Sequence, residues 1–191
     1  MDKDYWKKAY QDMWDDSSAR EERMIQWLQR ITGRRVETTG LGAGTTAFLS
    51  GSARDNGHSK GDADLHIVDT PIYIEVTGPL SAKVPADAPL WFRPDKFNNA
   101  VRNARAGHDT FFAHHCPSED LWRVIHIDQA LIQRLCIPDF KIVTPTIRGR
   151  TERYVEVPAG DPCVRPLSFL QDYLLETLGS PNQVPGGQVY G

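Results

Sequence analysis

The sequence holds only three cysteines, Cys116, Cys136 and Cys163, in 191 residues. They are odd in number, widely spaced and form no Cys-x-x-Cys pair. That excludes a disulfide framework and argues against a cysteine-based zinc knuckle, and it points to a reducing, cytoplasmic setting. No apolar run approaches the ~20 residues needed to cross a bilayer, so no membrane association is expected. The N-terminus is charged and lacks the apolar stretch of a secretory signal. A strongly basic balance is also missing: the net charge is −3 and the pI about 6.1, unlike a protein that coats DNA. There is no internal repeat, no Gly-x-Ser-x-Gly elbow and no Cys/His nucleophile arrangement.

What is present is an ordinary globular composition, 40% hydrophobic and 25% charged, ample for one domain with a sizeable core. Charge is uneven along it. Residues 1–16 carry five Asp and three Lys; residues 17–35 carry five Arg against two Glu; residues 91–106 carry Arg93, Lys96, Arg102 and Arg105 against Asp95. Such basic stretches can bind a polyanion on an acidic chain, but taken alone they read as solvated helix faces.

Periodicity predicts two helices over the first 32 residues. Tyr5, Trp6, Tyr10 and Trp14 mark one. Ser18 to Glu21 has the form of a capping box opening the second, whose stripe is Met24, Ile25, Leu28 and Ile31 and whose stop is Gly33. Val36–Thr39 reads as a short strand, followed by a long Gly/Ser/Thr-rich connection over residues 40–61. Ala63–Val68 and Ile72–Thr77 read as strands around a turn at Asp69-Thr70-Pro71. Residues 79–90 form a Pro-rich loop, and Pro94 opens a helix to Arg105. Thr110–His115 and Trp122–Ile127 are two more strands, and Asp128–Cys136 a short helix. A hairpin over Lys141–Val157, a helix over Pro166–Leu178 and a mobile tail complete the chain. The class is α/β. The expected divisions are a helical arm (1–16), a core (17–136), a hairpin and helix packed on it (137–179) and the tail (180–191).

The chemistry concentrates in Gly61-Asp62-Ala63-Asp64-Leu65-His66-Ile67-Val68 and Pro71-Ile72-Tyr73-Ile74-Glu75-Val76-Thr77-Gly78. Alternation puts Glu75 on one strand face with Tyr73 and Thr77, and Ile74 and Val76 on the other. A carboxylate amid an apolar strand is costly to bury without compensation. Asp64 on the neighbouring strand suggests what compensates: a hard cation held by Asp64, Glu75 and the Val76 carbonyl. Mg²⁺ or Mn²⁺ suits oxygen ligands, activates a bound water and offsets phosphate charge. Asp62 is the rival to Asp64, and His66 shares its face.

In this order of elements the chain resembles the PD-(D/E)xK nuclease superfamily, and within it the archaeal Holliday-junction resolvases. Ala63-Asp64-Leu65 matches the Pro-Asp-apolar element with Ala for Pro, and Ile74-Glu75-Val76-Thr77 matches Glu-x-Lys with Thr77 where the family has lysine. Glu22-Arg23 resembles the first-helix acidic element. The resemblance covers roughly residues 18–128 and rests more on order and spacing than on any one short motif. It implies a restriction-endonuclease-like core, a mixed sheet of about five strands flanked by helices, acting as a metal-dependent endonuclease on DNA, with branched or junction DNA as a candidate substrate. Asp64, Glu75 and Glu22 would be its acidic residues. The missing lysine would come from Lys96 on the following helix, with Lys60 and Lys83 as weaker substitutes. Arg34, Arg93 and Arg102 are candidate phosphate contacts. A junction cutter needs two sites, hence a homodimer.

Other readings are weaker. His108, His114, His115, Cys116 and His126 suggest zinc, but His114 and His115 point to opposite strand faces. Gly40-Leu-Gly-Ala-Gly44 lacks the helix of a dinucleotide loop. Two alternatives from other classes stand: a catalytically silent nucleic-acid-binding relative, favoured if no lysine lies near the carboxylates, and a scaffold using the aromatic stripe of the first helix.

Overall fold

The computed structural model describes residues 3–39, 62–79, 81–136, 139–147 and 150–179. The Gly-rich segment with Lys60, the turn at residues 148–149 and the tail lie outside them.

A single helix, α1 (Lys3–Thr32), opens the chain. This corrects the expected break at Ser17-Ser18. Serine is only a few tenths of a kcal/mol less favourable in a helix interior than most residues, and neither Gly nor Pro interrupts the run. Ser18 therefore lies inside the helix and caps nothing. The helix stops where expected: Gly33 takes φ 65° and its N–H reaches the Gln29 carbonyl at 2.8 Å.

Strands β1 (Val36–Thr38), β2 (Leu65–Ile67) and β3 (Ile72–Thr77) follow, then β4 (Leu90–Phe92), α2 (Pro94–Arg105), β5 (Asp109–Cys116) and β6 (Leu121–His126). The chain continues with α3 (Gln129–Cys136), β7 (Lys141–Val143), β8 (Thr146–Ile147), β9 (Arg150–Thr151), β10 (Tyr154–Val157), β11 (Arg165–Pro166) and α4 (Leu167–Leu178). The main sheet has six strands in the order β1-β2-β3-β5-β6-β11. Among the described residues of this sheet, only β3 and β5 pair in parallel. Parallel neighbours need a crossover, and the segment carrying β4 and α2 supplies it. The sixth strand, β11, and β4 were not legible in the sequence. Both are two or three residues long beside prolines, and tertiary pairing alone makes them strands. The C-terminal hairpin is more than a hairpin: β10 pairs with β7 on one side and with β4 on the other, forming a three-stranded second sheet.

Two apolar clusters lie on opposite faces of the main sheet. Ile72, Ile74, Val76, Phe111 and Ala113 pack with Met24 and Leu28 of α1 and Leu170 and Leu174 of α4. Phe112 and Ile125 face the other way, with Phe92, Phe97, Leu131 and Val155. Strand alternation puts Tyr73, Glu75 and Thr77 on this second face, with Glu75 directly beside Phe112 and Thr77 beside His114. Among the described residues, no helix is long and apolar enough to cross a membrane.

The end of β3 is tightly specified. Gly78 has φ 131°, and a Cβ there would fall 2.1 Å from the His115 carbonyl oxygen. Buried Arg20 of α1 ties the same turn, donating to the Gly78 carbonyl at 2.8 Å and the Pro79 carbonyl at 2.6 Å. Gly78→Ala should cost roughly 2–4 kcal/mol through backbone clash and strain, read as a lowered urea midpoint at unchanged slope. An unchanged midpoint would mean that the turn relaxes freely.

Candidate active site

Ladder pairing between β2 and β3 ends at Leu65 and Ile74. One residue before β2, Asp64 extends the contact with its side chain: Oδ2 accepts the Val76 N–H at 2.9 Å. Its backbone carbonyl accepts the Thr39 N–H at 2.9 Å, which fixes it from the other side. The N–H and C=O of a strand residue leave the same edge, so the Val76 carbonyl is directed to the edge that Asp64 occupies.

Glu75 projects from the middle of β3 onto the face covered by α2. Pro94 opens that helix at its first turn, and Lys96, two residues on, points back to the strands. Its ammonium donates to Glu75 Oε2 at 2.7 Å, to the Asp62 carbonyl at 2.8 Å and, more weakly, to Asp64 Oδ1 at 3.4 Å. Three acceptors match the three ammonium hydrogens. The side chains of Asp64, Glu75 and Lys96 are 6%, 8% and 17% exposed, so this is a desolvated group rather than a surface ion pair.

Two carboxylates share one ammonium, and the electrostatics follow from that shortfall. Burial, then repulsion from Asp64, raise the Glu75 pKa well above the usual carboxylate value despite Lys96. Burial alone would lower the Lys96 pKa, but the attraction of Glu75 and Asp64 outweighs it and the lysine is held charged. A second cation would relieve the pair.

Asn99, one turn along α2 from Lys96, is buried and donates to Asp62 Oδ1 at 2.8 Å. It anchors the segment leading into β2. Sequence reasoning missed it, although its i+3 spacing from Lys96 was the available signal. Asp62 thus stands beside the pair, giving its carbonyl to Lys96 and its carboxylate to Asn99.

The other expected residues disperse. Glu22 is not brought to the carboxylates: it is exposed on α1, which covers the opposite sheet face, and accepts from Gln26 at 2.8 Å. Its neighbour Glu21 is the buried one. A helix places consecutive residues about 100° apart, so a one-residue difference exchanges core for solvent. Arg34 sits before β1, its N–H on the Thr32 hydroxyl, at the opposite end of the β1–β2 pair from Asp64. Arg102 is exposed near the end of α2. Arg93 lines the same cavity as Glu75 and Lys96, and pairs with Asp95 at 2.7 Å. Lys83 is exposed. His66 turns away from the site, bonding Glu37 at 3.1 Å and the Thr70 carbonyl at 2.8 Å.

The histidines likewise serve separate places. His115 bonds Asp120 and His126 bonds Asp109, while His114 faces the cavity. No group of three or more His, Cys, Asp or Glu is arranged around a common point among the described residues. Asp64 and Glu75 still fit a hard divalent cation. Mg²⁺ is commonly held by one or two carboxylates and completes its shell with waters and substrate oxygens. The net negative, desolvated pair and the adjacent Val76 carbonyl edge supply such a donor set.

No protein-family model matches the chain, and no curated protein matches it. Among solved structures, a nuclease from a fusselovirus is similar at 15% identity, over 82% of this chain and 86% of that one, with a TM-score of 0.44. The mixed α/β architecture itself, a six-stranded sheet covered by helices on both faces, is evident from the chain's own topology.

Proposed function

We propose that the chain is a Mg²⁺- or Mn²⁺-dependent nuclease of the PD-(D/E)xK type that hydrolyses DNA phosphodiester bonds. The observation that carries this reading is the Lys96 ammonium, delivered from α2 to within 2.7 Å of Glu75 and 3.4 Å of Asp64. It supplies a cation where Thr77 leaves the strand without one.

Asp64 and Glu75, with the Val76 carbonyl, would hold the ion. When bound, the ion supplies a water of lowered pKa and offsets charge on the phosphate. Lys96 is held charged by Glu75 and Asp64, so it would contribute a constant positive charge beside the attacked phosphate; the hydrogen in its weakest bond, 3.4 Å from Asp64, is the one it would turn to the attacking water or a phosphate oxygen. The Val76 N–H and the Thr39 N–H lock Asp64 from both sides, which keeps the carboxylates in register with little reorganisation. Arg93, on the wall of the same cavity, is the phosphate contact best placed among those expected from sequence.

The silent-relative alternative is favoured by the absence of a lysine near the carboxylates, and Lys96 lies beside them. The scaffold alternative rests on side chains outside the described residues.

The test is cleavage of labelled duplex, single-stranded and four-way-junction DNA with Mg²⁺ or Mn²⁺. Cutting that needs the metal and is lost in Glu75→Ala and Lys96→Ala is the expected result. Preference for the junction, together with a dimer in solution, would extend the proposal to a resolvase. Well-folded wild-type protein that binds DNA but cuts none of the three would overturn it.

A further inference from the structure

The carboxylate pair opens onto a cavity of about 520 Å³, within the size range of ligand pockets. Lys96 and Glu75 form one wall. Trp91 and Phe92 of β4 and Tyr154 of β10, with Pro89, form another. The second sheet thus brings aromatic surface to the edge of the site, although β4 and β10 are more than sixty residues apart in sequence.

Trp91 is held in place. Its Nε1 donates to Glu156 at 2.9 Å and its ring stacks with Tyr154 at 5.9 Å, yet it remains 38% exposed. An ordered indole left in solvent at a cavity wall offers apolar area without an ordering cost. Two polar side chains of the lining are themselves buried. His114 is 3% exposed, and among the described residues its Nδ1 has no partner beyond its own backbone. Arg123 is 7% exposed; one terminal nitrogen is held by the Ala86 carbonyl at 2.6 Å, while Nε has no partner among the described residues. Buried polar atoms are rarely left without partners, and both residues line this cavity. Burial, then the charges of Arg123 and Arg20, hold the His114 imidazole neutral, with its pKa lowered to about 3. A neutral imidazole donates at one nitrogen and accepts at the other.

A planar, largely apolar occupant with both donors and acceptors on its edge, carried on an anionic backbone, matches these walls. Lys96, Arg93 and Arg123 outnumber Glu75 among the charged lining groups, which suits the backbone. We infer that the cavity receives an unpaired nucleobase of the strand being cut, stacked at Trp91, with His114 and Arg123 among the polar groups that line the same cavity. The substrate class is therefore nucleic acid with a single-stranded or extruded nucleotide at the site. The inference rests on the nuclease reading above, since the phosphate beside that base would lie at Glu75 and Lys96.

The experiment compares a labelled oligothymidylate with a strand of equal length built from abasic residues, so that backbone charge is constant and only the bases differ. Binding is followed by anisotropy in Ca²⁺, and cleavage separately in Mg²⁺. Wild type should bind the intact strand roughly 5- to 100-fold more tightly, the range expected for one aromatic–base stack. Trp91→Ala, an exposed position that should fold normally, should bring the two affinities together, with Tyr154→Leu giving a partial effect. Glu75→Gln should cleave nothing yet keep the preference for bases. Equal affinity of wild type for the two strands, or a preference that survives Trp91→Ala, would overturn the base pocket while leaving metal-dependent cleavage intact. A base preference without any cleavage would instead remove the nuclease reading and keep the pocket.

Discussion

Glu75→Gln is expected to abolish metal-dependent cleavage, by at least ~10³-fold, because a metal-ion contribution of several kcal/mol to the transition state disappears with one ligand charge. The fold should survive, since the amide fills the same space beside Phe112 and Lys96 keeps Asp64 as a partner. Stability should report the site independently of cleavage. The folded-state pKa of Glu75 is raised, chiefly by burial and then by Asp64, so the native state binds more protons than the unfolded one above the ordinary carboxylate range. Stability of the metal-free protein therefore falls as pH rises from about 4.5 towards the raised pKa, and the loss persists above it. A divalent ion must displace that proton, so the thermal shift produced by Mg²⁺ should grow over the same window. Glu75→Gln should flatten both dependences. Calorimetric scans from pH 5 to 8, with and without Mg²⁺, measure this; a Mg²⁺ shift in the variant equal to that of wild type would place the ion elsewhere.

Lys96→Met should have the largest effect on stability. It leaves Asp64 and Glu75 desolvated against each other, and removing one member of a buried charge group costs about 3–5 kcal/mol. The loss should be greatest at alkaline pH and shrink towards acid, where protonation of Glu75 removes the repulsion. Lys96 itself has a raised pKa: burial lowers it, but Glu75 and Asp64 more than reverse this. Its own contribution in wild type is thus present below about 10.5 and lost as pH climbs through the raised value. Mg²⁺ at a hundred times its dissociation constant should restore about 2.7 kcal/mol. Cleavage should nevertheless stay ~10²–10⁴-fold down, because the ion does not replace a donor aimed at water or phosphate. Urea titration of Lys96→Met at pH 6 and 9 decides it. Equal midpoints relative to wild type at both values would show that the ammonium is not compensating buried charge.

The sequence carried most of the site because its chemistry is local. Asp64 directly precedes β2 and Glu75 lies on β3, two strands joined by a four-residue turn, so alternation and a short hairpin suffice to bring them together. Lys96 was legible because Pro94 fixes where its helix begins. Glu22 was misplaced because the motif is short and one residue on α1 exchanges solvent for core. The single α1 helix was missed because two serines look like a boundary when their neighbours are unknown.

By itself, then, the sequence determined the α/β class, the strand that carries Glu75, the Asp64 element beside it and the helix that brings a lysine, all through periodicity and turn chemistry acting over short spans. The tertiary structure alone decided that β4 and β10 become partners, that the Trp91 and Tyr154 rings meet at the edge of the carboxylate site, and that His114 and Arg123 turn into the same cavity. The β4–β10 pairing joins segments more than sixty residues apart, and β4 and β11 have no strand signal strong enough to stand alone. Burial against a completed sheet, not local propensity, selects their conformation.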